Sequence, residues 1–173
     1  MKIGILSDSH DNIHNLIEAV EYLKENHITT ALHLGDFCAP TTVLRMLESS
    51  GEIVWYCVWG NVDGDKVKVL QLVDNTNFDI VAENFRSIVV DGQKIFMSHY
   101  PEVAQVASES GSFDAVFYGH DHIKSFKRFE NGSILANPGE IVGYKTRNAS
   151  FAVWDTTDSL FEHIDIKNPI IAV

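Results

Sequence analysis

Gly4-Ile5-Leu6-Ser7-Asp8-Ser9-His10 is the stretch that decides how this chain folds. A short apolar run opened by glycine reads as a buried strand, and this one stops at an aspartate and a histidine, two metal-ligand types. Four further runs follow the same grammar. They are Ala31-Leu32-His33-Leu34-Gly35-Asp36, Tyr56-Cys57-Val58-Trp59-Gly60-Asn61, Ile95-Phe96-Met97-Ser98-His99 and Val116-Phe117-Tyr118-Gly119-His120-Asp121-His122. Side chains placed just beyond the carboxyl ends of strands in an α/β sheet converge on one crevice, however far apart they lie in the chain. The gathered set is Asp8, His10, Asp36, Asn61, His99, His120 and His122. Imidazole combined with carboxylate and amide oxygen suits Mn, Fe, Ni, Co or Zn better than a calcium cage or a thiolate site.

Working outward, the first half alternates strand and helix. A strand near Ile3 to Leu6 precedes a helix that begins after Asp11-Asn12, with Ile13, Leu16, Ile17, Val20 and Leu23 at helical spacing. A second strand at Ala31 to Leu34 leads to a helix opened by Pro40, and a third at Ile53 to Val58 leads to a helix near Asp65. Such alternation implies right-handed crossovers and a mostly parallel sheet. The second half changes character. Asp91-Gly92 and Asn131-Gly132 each sit between apolar runs and predict hairpins, while Phe151 to Trp154 and Phe161 to Ile166 supply two closing strands. The expected fold is α/β: an αββα sandwich of mixed sheets flanked by helices, as a single domain over 1–173.

Composition narrows the function classes. With 173 residues, 45% hydrophobic, the chain is large enough for one sizeable core. A net charge of -11 repels nucleic-acid polymers and anionic membranes, which need clustered Lys and Arg. It does not repel a small anion from a crevice whose metal ions invert the local field. Two cysteines, Cys38 and Cys57, offer no disulfide framework, and because Met1-Lys2 leads directly into the first strand, no leader is expected. A soluble, cytoplasmic protein is expected. The apolar tail Asn168-Pro169-Ile170-Ile171-Ala172-Val173 is expected to dock on its own core or on a second subunit, most simply in a homodimer.

Taken in order, Asp8-Ser9-His10, Gly35-Asp36, Gly60-Asn61-Val62-Asp63, His99 and Gly119-His120-Asp121-His122 resemble the motifs of the calcineurin-like metallophosphoesterases. The small prokaryotic phosphodiesterase branch is the nearest match, since it also carries a turn like Asn137-Pro138-Gly139. That resemblance implies two divalent metal ions, manganese first, with Ni, Fe, Co or Zn as alternatives. Asp8, His10, Asp36 and His122 would hold one ion, and Asp36, Asn61, His99 and His120 the other. Asp36 would bridge, and a hydroxide shared between the ions would attack phosphorus, with Asp36, Asn61 and His99 as the catalytic core of the site. The expected substrate is a small phosphate ester, most simply a diester. A phosphomonoesterase and a non-catalytic protein-interaction scaffold, as in the retromer subunit of similar fold, are the alternatives.

Each residue also has a plainer use. Asp8 or Asp11 caps helices elsewhere, Asp36 and Asn61 fit ordinary turns, and Asp63 is expected to support the ligands from behind. His14, His27, His33 and His163 read as solvated or packed, and Trp55 and Trp59 as core. Two departures from the family pattern stand out. Val62 occupies a position where many relatives carry a proton-donating histidine, and Tyr100 follows His99 where a small residue is usual.

Overall fold

The computed structural model describes residues 1–171. Eleven strands and four helices follow in the order β1 (Lys2–Leu6), α1 (Ile13–Glu25), β2 (Thr30–His33), α2 (Pro40–Ser50), β3 (Val54–Cys57), α3 (Lys66–Val73), β4 (Phe78–Ile80), β5 (Phe85–Val90), β6 (Gln93–Ser98), α4 (Pro101–Glu109), β7 (Ala115–Phe117), β8 (Ser125–Arg128), β9 (Ile134–Asn137), β10 (Ser150–Asp155) and β11 (Leu160–Asp165). One sheet has the order β11-β10-β1-β2-β3-β4 and the other β5-β6-β7-β9-β8. Parallel pairing runs through β1 to β4 and through β6, β7 and β9, while β10, β11, β5 and β8 pair antiparallel. This is the expected αββα sandwich of mixed sheets.

Alternation along β1 shows how the layers form. Ile3 and Ile5 point between the sheets with Leu32, Ile95, Met97 and Phe117, whereas Leu6 faces the helices beside Leu16, Val20 and Trp55. A third apolar layer of Ala104, Ala107, Val116 and Leu135 lies beneath α4. Gly4 lets α1 come close, since a β-carbon there would fall 2.7 Å from Leu23 Cδ2.

The local signals act much as their chemistry dictates. Asn12, rather than Asp8 or Asp11, caps α1 by accepting from Asn15 N–H. Asp11 instead accepts from Ala39 N–H and the Thr42 hydroxyl at the start of α2. Asp65 caps α3, and both hairpins close at their Asx-Gly turns. Strand β4 and helix α4 were not anticipated: one is three residues long, and the other has only nine. The tail docks on its own chain as far as Ile171. Ile170 N–H donates to Asn15 Oδ1, Ile170 O accepts from Asn12, and Ile171 packs against the helical core; Ala172 and Val173 lie outside the described residues. No helix among the described residues is long and apolar enough to cross a membrane.

Candidate metal centre

Five loops leave the carboxyl ends of parallel strands on one edge of the sandwich. Asp8 and His10 follow β1, Asp36 follows β2, Asn61 follows β3, His99 follows β6, and His120 and His122 follow β7. All seven predicted residues are brought together. Oδ2 of Asp36 lies 3.4 Å from Nε2 of His10 and 3.4 Å from Nε2 of His99. To one side, Asp8 Oδ1 lies 3.3 Å from His122 Nε2 and 3.8 Å from His10 Nε2. To the other, Asn61 Oδ1 lies 3.0 Å from His99 Nε2 and 2.9 Å from His120 Nδ1.

The imidazoles are oriented from behind. Nδ1–H of His99 donates to Leu34 O at 2.8 Å, and Nδ1–H of His122 donates to Glu140 at 2.6 Å. Each therefore turns an Nε2 lone pair toward the carboxylates. His10 has a softer support, because its Nδ1 meets only the Cys38 sulfur at 3.6 Å. Cys38 stays a thiol, its pKa pushed up to about 12 by burial and by the carboxylates of Asp11, Asp36 and Asp63.

Does this arrangement fit a cation? Asp8 Oδ1 and His10 Nε2 are buried atoms with no hydrogen-bond partner among the described residues. An unpaired buried carboxylate oxygen is costly unless something positive meets it. Burial alone would raise the Asp36 pKa, yet His99 and the Val62 amide hold it down at about 2. Burial alone would lower the pKa of His10 and His99, yet the neighbouring carboxylates raise both. The field in the cleft thus favours positive charge, and the O and N donor set fits a divalent ion.

Backbone shape is as unusual as the side chains. Asp8, His10, Asp36, His120 and His122 all have φ between 40° and 72°, the left-handed region that favours glycine. Local hydrogen bonds hold them there: Asp8 N–H donates to Gly35 O, His10 N–H to Asp36 O, and His120 N–H to Asp8 Oδ2. Asp63 contributes differently from expectation. Its carboxylate takes the backbone N–H of Asp36, Cys38 and Gly60, so it shapes the loops rather than an imidazole or amide side chain.

Three residues support the site in ways the sequence did not reveal. Glu140 is buried beyond the Asn137-Pro138-Gly139 turn, and only its place one residue after that motif hinted at a role. His33, expected to be merely packed, stacks on Phe37 and ties two ligand loops by accepting from Gly35 N–H and donating to the Ser9 hydroxyl. Burial pushes its pKa down to about 3, so it serves as a neutral ring. Asn137 donates to Gly119 O and to Asp121, fixing the turn that carries His120 and His122. At the rim, Val62 presents its N–H to Asp36 Oδ1 at 3.1 Å, and the Tyr100 ring packs edge-on against His99 and His120.

Comparison with known proteins now bears on this geometry. A model of the calcineurin-like phosphoesterase superfamily domain matches residues 1–159. The chain belongs to the calcineurin-like phosphoesterase superfamily. By family it is a metal-dependent phosphoesterase. Phosphodiesterase MJ0936 of Methanocaldococcus jannaschii is 31% identical over 169 residues, covering 96% of this chain and 100% of that one. A solved archaeal phosphodiesterase superposes with a TM-score of 0.86 at 31% identity, over 95% of this chain and 99% of that one. YfcE, a phosphoesterase from E. coli, shares the fold at a TM-score of 0.67 and 19% identity, over 96% of this chain and 100% of that one.

Proposed function

We propose that the chain is a two-metal hydrolase of small phosphate esters with a preference for diesters, acting as one catalytic domain over 1–173 in a reducing cytoplasm. One relationship supports the pairing of metals above all: the shared position of Asp36 Oδ2, equidistant from His10 on one side and His99 on the other. Asp8, His10, Asp36 and His122 then form one donor set, and Asp36, Asn61, His99 and His120 the second. When bound, a pair of divalent ions, with manganese the first candidate, supplies Lewis acidity that activates a water and neutralises charge on the phosphoryl oxygens.

The chain's own residues do the rest. Asp8 and Asp36 bring only two formal negative charges to two dications, so the occupied site stays positive toward an anionic ester. Glu140 and Leu34 O keep His122 and His99 in the tautomer whose Nε2 lone pair faces the site. Valine at 62 has no proton to donate, which leaves departure of the alcohol to charge and alignment. The diester preference draws on the phosphodiesterase named above as a relative.

The test is hydrolysis of a panel of phosphodiesters and monoesters by chelator-treated protein re-supplied with Mn, Ni or Mg, alongside elemental analysis. Two metal equivalents per chain, with activity restored only by metal, are expected. Full activity in the chelated protein, or one equivalent at saturation, sinks the proposal.

A further inference from the structure

Many carboxylates stand around this cleft, so a cation at its rim is conspicuous. Asp8, Asp36, Asp63, Asp121 and Glu140 surround the cleft on a chain of net charge -11. Lys145 is a cation that the fold delivers to the rim. Its Nζ donates to His120 O at 3.5 Å, and its backbone N–H donates to Glu140 Oε2 at 3.2 Å. That same carboxylate oxygen receives Nδ1–H of His122, while the other takes the N–H and hydroxyl of Thr146. One buried carboxylate therefore fixes both a candidate ligand and the backbone of the lysine. The loop gains further footing where Ile141 and Val142 donate to Ser7 O and Asp8 O.

Lys145 is also unspent. Lys24 pairs with Glu21, Lys124 with Asp165, Arg45 with Glu48 and Arg86 with Asp79, but Lys145 makes no salt bridge among the described residues. Its ammonium lies against the turn that carries His120 and His122. A compact ammonium on a flexible stem, with three donors and no acceptor, suits contact with a phosphate oxygen.

We propose that Lys145 is a substrate-binding residue whose ammonium takes a non-bridging oxygen of the phosphate ester in the cleft, and so sets how the site weighs substrate charge. This rests on the phosphoesterase reading of the same site. A monoester dianion offers more charge to the ammonium than a diester monoanion, so loss of Lys145 shifts selectivity toward diesters.

The test compares metal-loaded wild type, Lys145→Met and Lys145→Arg on bis(4-nitrophenyl) phosphate and 4-nitrophenyl phosphate, with inorganic phosphate as competitive inhibitor. In Lys145→Met, KM for the diester should rise about tenfold, with a larger rise for the monoester and for the phosphate inhibition constant. The change in kcat should be smaller, metal content unchanged, and Lys145→Arg should recover most of the loss. Wild-type KM should climb with ionic strength more steeply than that of Lys145→Met. Unaltered KM and phosphate inhibition in Lys145→Met overturn the proposal. So does a fall in kcat that follows loss of metal, because the loop would then only brace His122. If wild type hydrolyses neither ester, the broader functional reading fails separately; calorimetric binding of inorganic phosphate to metal-loaded wild type and Lys145→Met still decides the lysine, equal affinities refuting it.

Discussion

A β-carbon built on Gly60 would fall 1.9 Å from Oδ1 of Asp36 and 2.4 Å from its backbone nitrogen. The exit loop of β3 thus lies directly against the candidate bridging carboxylate, and no side chain fits between them. Gly60→Ala must push the two loops apart. The expected outcome is a loss of about a hundredfold in kcat/KM, the scale of a misplacement near 1 Å, with a stability cost of about 1–3 kcal/mol from overpacking. Steady-state kinetics and thermal melts check it; wild-type kcat/KM in this variant contradicts the close contact.

Asp36 and His10 should respond differently to substitution. Asp36→Asn removes the negative charge shared between His10 and His99, and activity should vanish at any metal concentration. His10→Ala removes a partly buried ring whose Nδ1, among the described residues, is backed by the Cys38 sulfur, so weak activity should return with excess metal. Metal titrations of both variants separate these outcomes.

Glu140→Gln leaves the shape of the His122 contact but removes its charge. Metal affinity should fall about tenfold to a hundredfold, the usual consequence of weakening support behind a ligating histidine. A pH signature accompanies it in chelated protein. Burial would raise the Glu140 pKa, but His122 and Thr146 bring it from 4.5 to about 2 in the folded chain. A depressed folded value means that the stabilisation is present above pH 4.5 and is lost as pH falls toward 2. The melting-temperature gap between wild type and Glu140→Gln should therefore be widest above pH 5 and close below it. A gap that stays constant with pH contradicts the assignment.

Val62 points its side chain outward at 44% exposure while its amide serves Asp36. With no acid at that position, rates should fall steeply as the leaving alcohol becomes more basic. Aryl diesters should be good substrates and alkyl diesters poor. Val62→His should speed alkyl substrates more, within the roughly hundredfold to ten-thousandfold range of general-acid help. A leaving-group series on both proteins checks this; a flat dependence with chemistry rate-limiting identifies another proton donor.

The sequence carried most of the fold because its local signals are strong. Buried strands end at ligand-type residues, Asx-Gly turns mark both hairpins, and Pro40 and Asp65 mark helix starts. The candidate ligands were legible for a related reason: each sits in the loop that leaves an apolar strand. The supporting roles of Glu140, His33 and Asn137 were not legible, because their partners are Lys145, Thr146 and His122, Ser9 and Gly35, and Gly119 and Asp121, contacts that form only once neighbouring strands of each sheet align and the loop after β9 closes. Asp63 was misread in detail since a carboxylate near ligands gives no hint whether it will hold a side chain or a backbone amide.

The left-handed backbone at Asp8, His10, Asp36, His120 and His122 has an evolutionary consequence. Each such non-glycine residue costs about 1 kcal/mol or more that glycine would not incur. Drift toward glycine at these positions relieves backbone strain, which offsets the side-chain hydrogen bonds it removes, and is ruinous for the chemistry. A lineage released from hydrolysis should lose its ligands early while keeping its sheets. Glycine at a ligand position should therefore cost the fold less than the loss of its side-chain contacts alone would suggest.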